Sequence, residues 1–388
     1  MKKKILLVDD SALMRRVFCD IINSDDRFEV VNTASDGAEG FKLICEKEFD
    51  AVVLDVYMPK MTGIQMLQEM QKSHVSARVM MASTTTGEGA RETLDALALG
   101  AIDFIKKPEN VANARVDSFS SEFLNHLYVV ATAPMPRFGG ATLPARGAGH
   151  GQTFTKRFDV NIHTTAEKLA SDRQRASLST HTDQVDVRLR KVDHRGRRKI
   201  VAIASSTGGP KALNDIIPLL PADLPCPVLL VQHMPQGFTA SLADRLDEVS
   251  HIRVSEAVNG ERIENGHVYI APGGVHMKLE KKNGAHCIKY SDEPSREGVK
   301  PCANYMYESL VDCDYDEVIC VVLTGMGADG TAGIKNLDLK KQTYIIAQDQ
   351  GTCTVYGMPK SIAMTGLVSE VVPLGSVAEQ ITKNVGVH

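Results

Sequence analysis

The sequence predicts an α/β protein with two doubly wound, mostly parallel sheets in separate domains. Three observations lead there. Short apolar runs of buried-strand length recur in both halves, helical patterns separate them, and turns rich in glycine or reactive residues follow them. A length of 388 residues allows two ordinary domains and connecting chain. The hydrophobic fraction of 43% is typical, so each half can bury a core.

In the N-terminal half the strands are read at residues 5–8, 51–54, 79–82 and 102–105. Leu13, Met14, Val17, Phe18, Ile21 and Ile22 recur every three or four residues, as one helix face requires. Phe41, Ile44 and Cys45 mark a second helix, Ile64, Leu67 and Met70 a third, and Leu94 and Leu97 a fourth. Parallel sheets place their functional groups beyond the carboxyl ends of the strands. Asp9, Asp10, Asp55, Ser83 and Lys107 all fall there. Converging carboxylates can hold Mg²⁺, a hard cation that takes oxygen ligands and water. One carboxylate could then attack phosphorus while Lys107 supplies counter-charge. Singly, an aspartate after a strand is as readily a turn or N-cap residue. The specificity lies in the full set: Leu-Val-Asp-Asp-Ser, Leu-Asp-Val-Tyr-Met-Pro-Lys-Met-Thr-Gly and Lys-Lys-Pro.

With these motifs, residues 1–130 resemble the receiver domain of bacterial response regulators, a flavodoxin-like fold. The resemblance implies Asp55 as phosphoacceptor and a metal, Mg²⁺, held by Asp9, Asp10 and Asp55. It implies Lys107 and Ser83 as the phosphate-sensing pair and Phe104 as an aromatic switch, a static core position being the alternative for Phe104.

Residues 116–130 read as the last helix of this domain, with Phe119, Phe123 and Leu127 on one face. Pro134, Pro136, Gly139, Gly140, Pro144 and Gly147 then end regular structure. Residues 131–198 read as a flexible basic interdomain linker. Residues 133–199 hold 14 Lys/Arg against 6 Asp/Glu, a net +8, in a chain of −4 overall. Such a segment could contact an acidic partner, nucleic acid or a membrane surface, but without heptads and with few aromatics it reads as solvated linker.

The C-terminal domain, 199–388, opens with a buried strand at 200–204, followed by Ser205-Ser206-Thr207-Gly208-Gly209-Pro210. Leu213, Ile216, Ile217 and Leu220 mark the next helix. Strand, tight turn, helix exposes a hydroxyl at a sheet edge near helix N–H groups. Residues 204–208 match the G-x-S-x-G elbow except for Ala204 in first place. Alone this is weak, because glycine turns before helices also bind phosphate or simply cap. Two further strand ends strengthen it: residues 228–232 lead to His233, and residues 318–323 lead to a glycine-rich loop ending in Asp329. Nucleophile, base and orienting acid can thus meet at one edge. The chain order Ser, His, Asp differs from that of α/β-hydrolases.

Ser-Ser-Thr-Gly-Gly-Pro, Gln-His-Met-Pro, Tyr-Ile-Ala-Pro-Gly-Gly-Val-His-Met, Leu-Thr-Gly-Met-Gly-Ala-Asp-Gly and Val-Tyr-Gly-Met-Pro together resemble the chemotaxis protein-glutamate methylesterases. The likeness implies a Rossmann-like catalytic domain with Ser206 as nucleophile, His233 as base and Asp329 as orienting acid. Backbone N–H groups of Thr207 and Met326 are the expected oxyanion donors. The family demethylates glutamyl methyl esters on chemoreceptors and often deamidates receptor glutamines, with no cofactor for hydrolysis. Expected partners are the cytoplasmic helices of methylated chemoreceptors and the chemotaxis histidine kinase as phosphodonor. By the same resemblance, an unphosphorylated receiver covers the catalytic edge. The chain departs from the family at Ala204 and at Lys300-Pro301-Cys302-Ala303-Asn304, where Arg-Pro-Ser-Val-Asp is expected.

Other classes fit less well. The eight cysteines show no metal-ligand spacing and suit reduced thiols in a cytoplasmic protein. The N-terminus lacks a signal-peptide pattern, and no apolar stretch approaches the ~20 residues of a membrane span. A DNA-binding output lacks a basic recognition helix, and dinucleotide binding lacks its glycine motif. A non-catalytic, phosphorylation-dependent receptor-binding scaffold is the alternative reading.

Overall fold

The computed structural model describes residues 1–83, 87–108, 117–136, 189–190 and 198–387. The expected linker, 131–198, lies outside the described residues except at 131–136, 189–190 and 198, and so does residue 116.

The first half alternates β1 (Lys3–Val8), α1 (Ala12–Asn23), β2 (Phe28–Ala34), α2 (Gly37–Glu46), β3 (Ala51–Asp55), α3 (Gly63–Lys72), β4 (Val79–Ser83), α4 (Gly87–Ala98), β5 (Asp103–Lys106) and α5 (Asp117–Thr132). The sheet order is β2-β1-β3-β4-β5, every neighbouring pair parallel. β3 and β4 are buried at every position, which is why they read as unbroken apolar runs. β2 escaped that reading because it is an edge strand whose exposure alternates between its buried ends, with Glu29, Asn32 and Thr33 inside the run. Its signal was the β-branched pair Val30 and Val31. α1 buries Val17, Phe18, Ile21 and Ile22, whereas Leu13 in its first turn is exposed. Ser11 caps α1 by accepting from the Met14 N–H, and Thr62 and Gln65 form a reciprocal capping box at α3. Phe18 stacks on Phe123 at 5.0 Å between ring centroids, tying α5 to α1.

The second half runs β6 (Lys199–Ser205), α6 (Gly209–Ile216), β7 (Val228–Gln232), α7 (Phe238–Val249), β8 (Arg253–Glu256), β9 (His267–Ile270), β10 (His276–Lys282), β11 (Ala285–Ser291), α8 (Ala303–Ser309), β12 (Glu317–Val322), α9 (Thr331–Asp338), β13 (Gln342–Gln348), α10 (Met358–Ala363), β14 (Glu370–Val372) and α11 (Leu374–Val385). Seven parallel strands pair in the order β14-β13-β12-β6-β7-β9-β8. β10 and β11 form a separate antiparallel hairpin. Its turn is Asn283-Gly284, with φ of 50° and 77°, a strong hairpin signal that a search for apolar runs passes over.

From β6 the chain builds outward through β7, then returns to the other side of β6 with β12. The strand order therefore reverses between β6 and β12. In open α/β sheets such a switch point opens a crevice beyond the carboxyl ends of the strands.

The two sheets share an apolar boundary. One buried cluster runs from Leu94 and Leu97 of α4 and Phe104 of β5 into Leu213 and Phe238 of α6 and α7. The Phe104 and Phe238 rings stack at 4.7 Å. At the boundary, Arg91 of α4 pairs with Glu248 at 2.8 Å, and Arg245 of α7 pairs with Asp95.

Candidate active site

In the first sheet, Asp9 follows β1, Asp55 ends β3, Ser83 ends β4 and Lys107 follows β5. Parallel strands thus deliver all four to one edge. Lys107 Nζ lies 2.6 Å from both Asp9 Oδ2 and Asp55 Oδ2. Asp9, Asp10 and Asp55 each place a carboxylate oxygen within 4.8 Å of the others. Asp9 Oδ2 is buried, and Lys107 is its ion-pair partner. An all-oxygen acidic set converging this closely suits a hard divalent cation such as Mg²⁺. Burial pushes the Asp55 carboxyl up to about 6, the adjacent Lys107 ammonium only partly offsetting it. Ser83 is fully buried, and Thr93 of α4 donates to its Oγ at 2.6 Å. Phe104 is buried against Phe238.

In the second sheet, the turn after β6 presents Ser206, the turn after β7 presents His233, and the loop after β12 presents Asp329. His233 Nε2 lies 2.7 Å from Asp329 Oδ2. Burial raises the Asp329 carboxyl, but its bonds from His233, Cys302 and the Ala303 N–H outweigh that and hold it below the ordinary range. An ionised carboxylate can only accept, so Nε2 carries the proton and Nδ1 is left as the basic nitrogen. Ser206 and His233 line one cavity of about 640 Å³. Among the described residues Ser206 Oγ makes no hydrogen bond to His233. The structure therefore joins His233 and Asp329 directly and sets Ser206 across a shared space.

Backbone packing holds the serine turn in place. Gly208 has φ 78°, and a Cβ there would lie 2.5 Å from Thr354. A Cβ on Gly325 would lie 2.8 Å from Ser206 Cβ. Only glycine fits either place. Among the described residues neither the Thr207 nor the Met326 N–H donates a backbone hydrogen bond, and both residues line the cavity.

A family model described as response regulator receiver domain matches residues 5–116, and one described as CheB methylesterase matches residues 201–381. The protein-glutamate methylesterase/protein-glutamine glutaminase of Geobacillus kaustophilus is 38% identical over 383 residues, 99% of each chain. This chain belongs to that family. The Syntrophomonas wolfei member, protein-glutamate methylesterase/protein-glutamine glutaminase 1, is also 38% identical, over 98% of each chain. The crystal structure of the Thermotoga maritima CheB methylesterase catalytic domain is 41% identical, covering 48% of this chain and 98% of that one, with a TM-score of 0.47.

Three groups to which the sequence assigned no role also meet around Ser206, His233 and Asp329 in this methylesterase-family chain. Gln232 accepts from Ser205 Oγ at 2.7 Å and donates to the carbonyls of Ser206 and His233 at 3.0 and 3.2 Å, bracing the two turns together. It sat inside Gln-His-Met-Pro, but which glutamine atoms face which turn is not a sequence property. Cys302, at the departure from Arg-Pro-Ser-Val-Asp, donates to Asp329 Oδ1 at 3.0 Å. Asp103 of β5 reaches across from the receiver: its Oδ2 accepts from Thr207 Oγ1 at 2.9 Å and lies 2.8 Å from His126 Nδ1. Burial lowers the His126 imidazole, but the Asp103 carboxylate outweighs this and holds it above its ordinary range. Asp103, Phe104, Lys107 and His126 belong to the receiver's wall of the cavity that Ser206 and His233 line.

Proposed function

We propose that this chain is a phosphorylation-activated serine hydrolase acting on glutamyl methyl esters of chemoreceptors, with release of methanol, and on receptor glutamines, with release of ammonia. The carrying observation is the 2.7 Å pairing of His233 with Asp329 on the cavity that Ser206 lines, at the switch point of the sheet.

In this reading His233 Nδ1 takes the proton as Ser206 Oγ attacks the carbonyl, and Asp329 holds the imidazole by Nε2 and stabilises its charged form. Apo catalytic contacts are often long and tighten when substrate binds, which accommodates the open Ser206–His233 approach. The unengaged N–H groups of Thr207 and Met326 receive the oxyanion, each such donor commonly worth ~3 kcal/mol. His233 returns the proton to the departing methoxide or amide nitrogen. Water, activated by the same imidazole, then hydrolyses the acyl-enzyme.

Asp55 is the phosphoacceptor of the receiver in this reading, and a histidine kinase of the chemotaxis system the phosphodonor. Asp9, Asp10 and Asp55 would hold Mg²⁺, which when bound offsets the charge of the phosphoryl oxygens. Lys107 and Ser83 sense the phosphoryl group. Phe104 links that site to the catalytic half through its stack on Phe238.

The test is methanol release from methylated receptor membranes. Ser206→Ala should lower it roughly 10⁴-fold or more, as loss of a triad nucleophile does. Turnover near the wild-type rate would remove the serine from the chemistry. If the wild-type chain binds methylated receptor yet releases no methanol with Mg²⁺ and phosphodonor present, the scaffold reading takes its place.

A further inference from the structure

Asp329 is bound more heavily than an orienting acid requires. Its Oδ2 meets His233 Nε2 at 2.7 Å and accepts from the Ala303 N–H at 2.6 Å. Its Oδ1 accepts from the N–H groups of Asn304 at 2.9 Å and Gly330 at 2.8 Å, and from Cys302 Sγ at 3.0 Å. Among the described residues, the Cys302 thiol is the only side-chain donor to Oδ1.

The direction of that bond is settled by chemistry. Cys302 is fully buried, and burial with the Asp329 charge beside it pushes the thiol up to about 12. It therefore stays S–H and donates, while ionised Asp329 can only accept. The backbone of Cys302 is anchored as well, its N–H donating to His276 Nδ1 at 3.1 Å. His276 sits fully buried with Nε2 3.1 Å from the Glu293 carbonyl, so the segment ahead of α8 is pinned from behind.

We propose that Cys302 is a positioning residue for the hydrolase reaction: its S–H holds Asp329 Oδ1 so that Oδ2 stays on His233 Nε2 and Nδ1 faces the serine. This rests on the Ser206–His233–Asp329 reading above. A carboxylate free to rotate would divide its charge between competing donors and let the imidazole turn. Backbone N–H groups restrain that rotation in any sequence, whereas the side chain at 302 adds a contact that a substitution can remove. A serine at this position would offer a hydroxyl, which makes a shorter and stronger bond to a carboxylate. Cysteine is the weaker donor, and the exchange to serine keeps the contact.

A buried cysteine could instead be filling space, and the experiment separates the two. Cys302→Ala and Cys302→Ser are made in the full-length chain and assayed for methanol release with Mg²⁺ and a small phosphodonor. The low-field proton of His233 Nε2–H is followed by NMR and assigned by its loss in His233→Gln. Positioning requires kcat of Cys302→Ala to fall roughly tenfold with KM unchanged, as loss of a hydrogen bond to a charged group implies. It requires the low-field resonance to shift, and Cys302→Ser to restore at least the wild-type kcat. Equal losses in both variants, or an unmoved resonance in Cys302→Ala, would overturn the proposal. Should Cys302→Ala fail to fold, Cys302→Ser decides, because a stronger donor on Oδ1 must move the resonance and a static one contradicts the role. An active Ser206→Ala would sink the triad itself. An inactive Ser206→Ala beside an unaltered Cys302→Ala would sink only this inference.

Discussion

Asp55 and Asp329 are both buried carboxylates, yet their environments push them in opposite directions. For Asp55 burial dominates, and its value of about 6 lies above the ordinary carboxylate range near ~4. A raised value means that the folded state holds the proton more tightly than the unfolded chain. The stability this contributes is complete below about pH 4 and is lost as pH rises through about 6. For Asp329 the donors dominate, so its contribution is present above the ordinary range and is lost only as pH falls through the depressed value. The Asp55 carboxyl carbon of Mg²⁺-free protein should therefore titrate with a midpoint of about 6, and Mg²⁺ should lower it. A midpoint near ~4 without metal would mean that Lys107 outweighs burial.

Two elements carry the link between the halves. α4 bears Thr93, which bonds Ser83, and within one turn on either side bears Arg91 and Asp95, which pair with Glu248 and Arg245 of α7. β5 bears Asp103 and Phe104 and leads into Lys107. A shift of Ser83 and Lys107 toward a phosphoryl group would thus pull on both elements at once. Their contacts differ in weight. Arg91 and Glu248 are more than half exposed, so that pair is worth ~0–1 kcal/mol. The stack of Phe104 on Phe238 adds about 0.5–1.5 kcal/mol beyond the area it buries. Phe104→Ala should accordingly raise the activity of the unphosphorylated protein several-fold, while Arg91→Ala changes it by less than about twofold. The reverse ranking in a methanol-release assay would place the hold in the ion pairs.

At the scale of the whole molecule, the receiver is one wall of the cavity it would regulate. Asp103, Phe104 and His126 line that cavity together with Ser206, and Asp103 also engages Thr207 beside the serine. Phosphorylation would add about −1.5 to −2 charge at Asp55, and Lys107, which contacts Asp55 at 2.6 Å, also lines the cavity. A coupling of ~3 kcal/mol between the two sites would change activity roughly 150-fold. Asp55→Asn should abolish activation by a small phosphodonor, and deletion of the receiver should raise basal activity. Equal rates for intact and truncated chains would show that the wall does not restrict access. Among the described residues no helix is long and apolar enough to cross a membrane.

The alternation of apolar runs with helical faces was enough to determine two parallel α/β sheets, because a strand buried on both faces and an amphipathic helix each leave a local period. The reactive residues were legible for the same reason, each standing just beyond such a run. β2 and the Asn283-Gly284 hairpin went unread, being partly exposed and polar. Tertiary structure alone decided that His233 presents Nε2 to Asp329, that Cys302 secures Oδ1, that Gln232 braces two turns, and that Asp103 meets Thr207 across 104 positions of sequence. These contacts join side chains from strands and loops far apart in the chain. Their geometry follows from packing, which leaves no local pattern in the sequence.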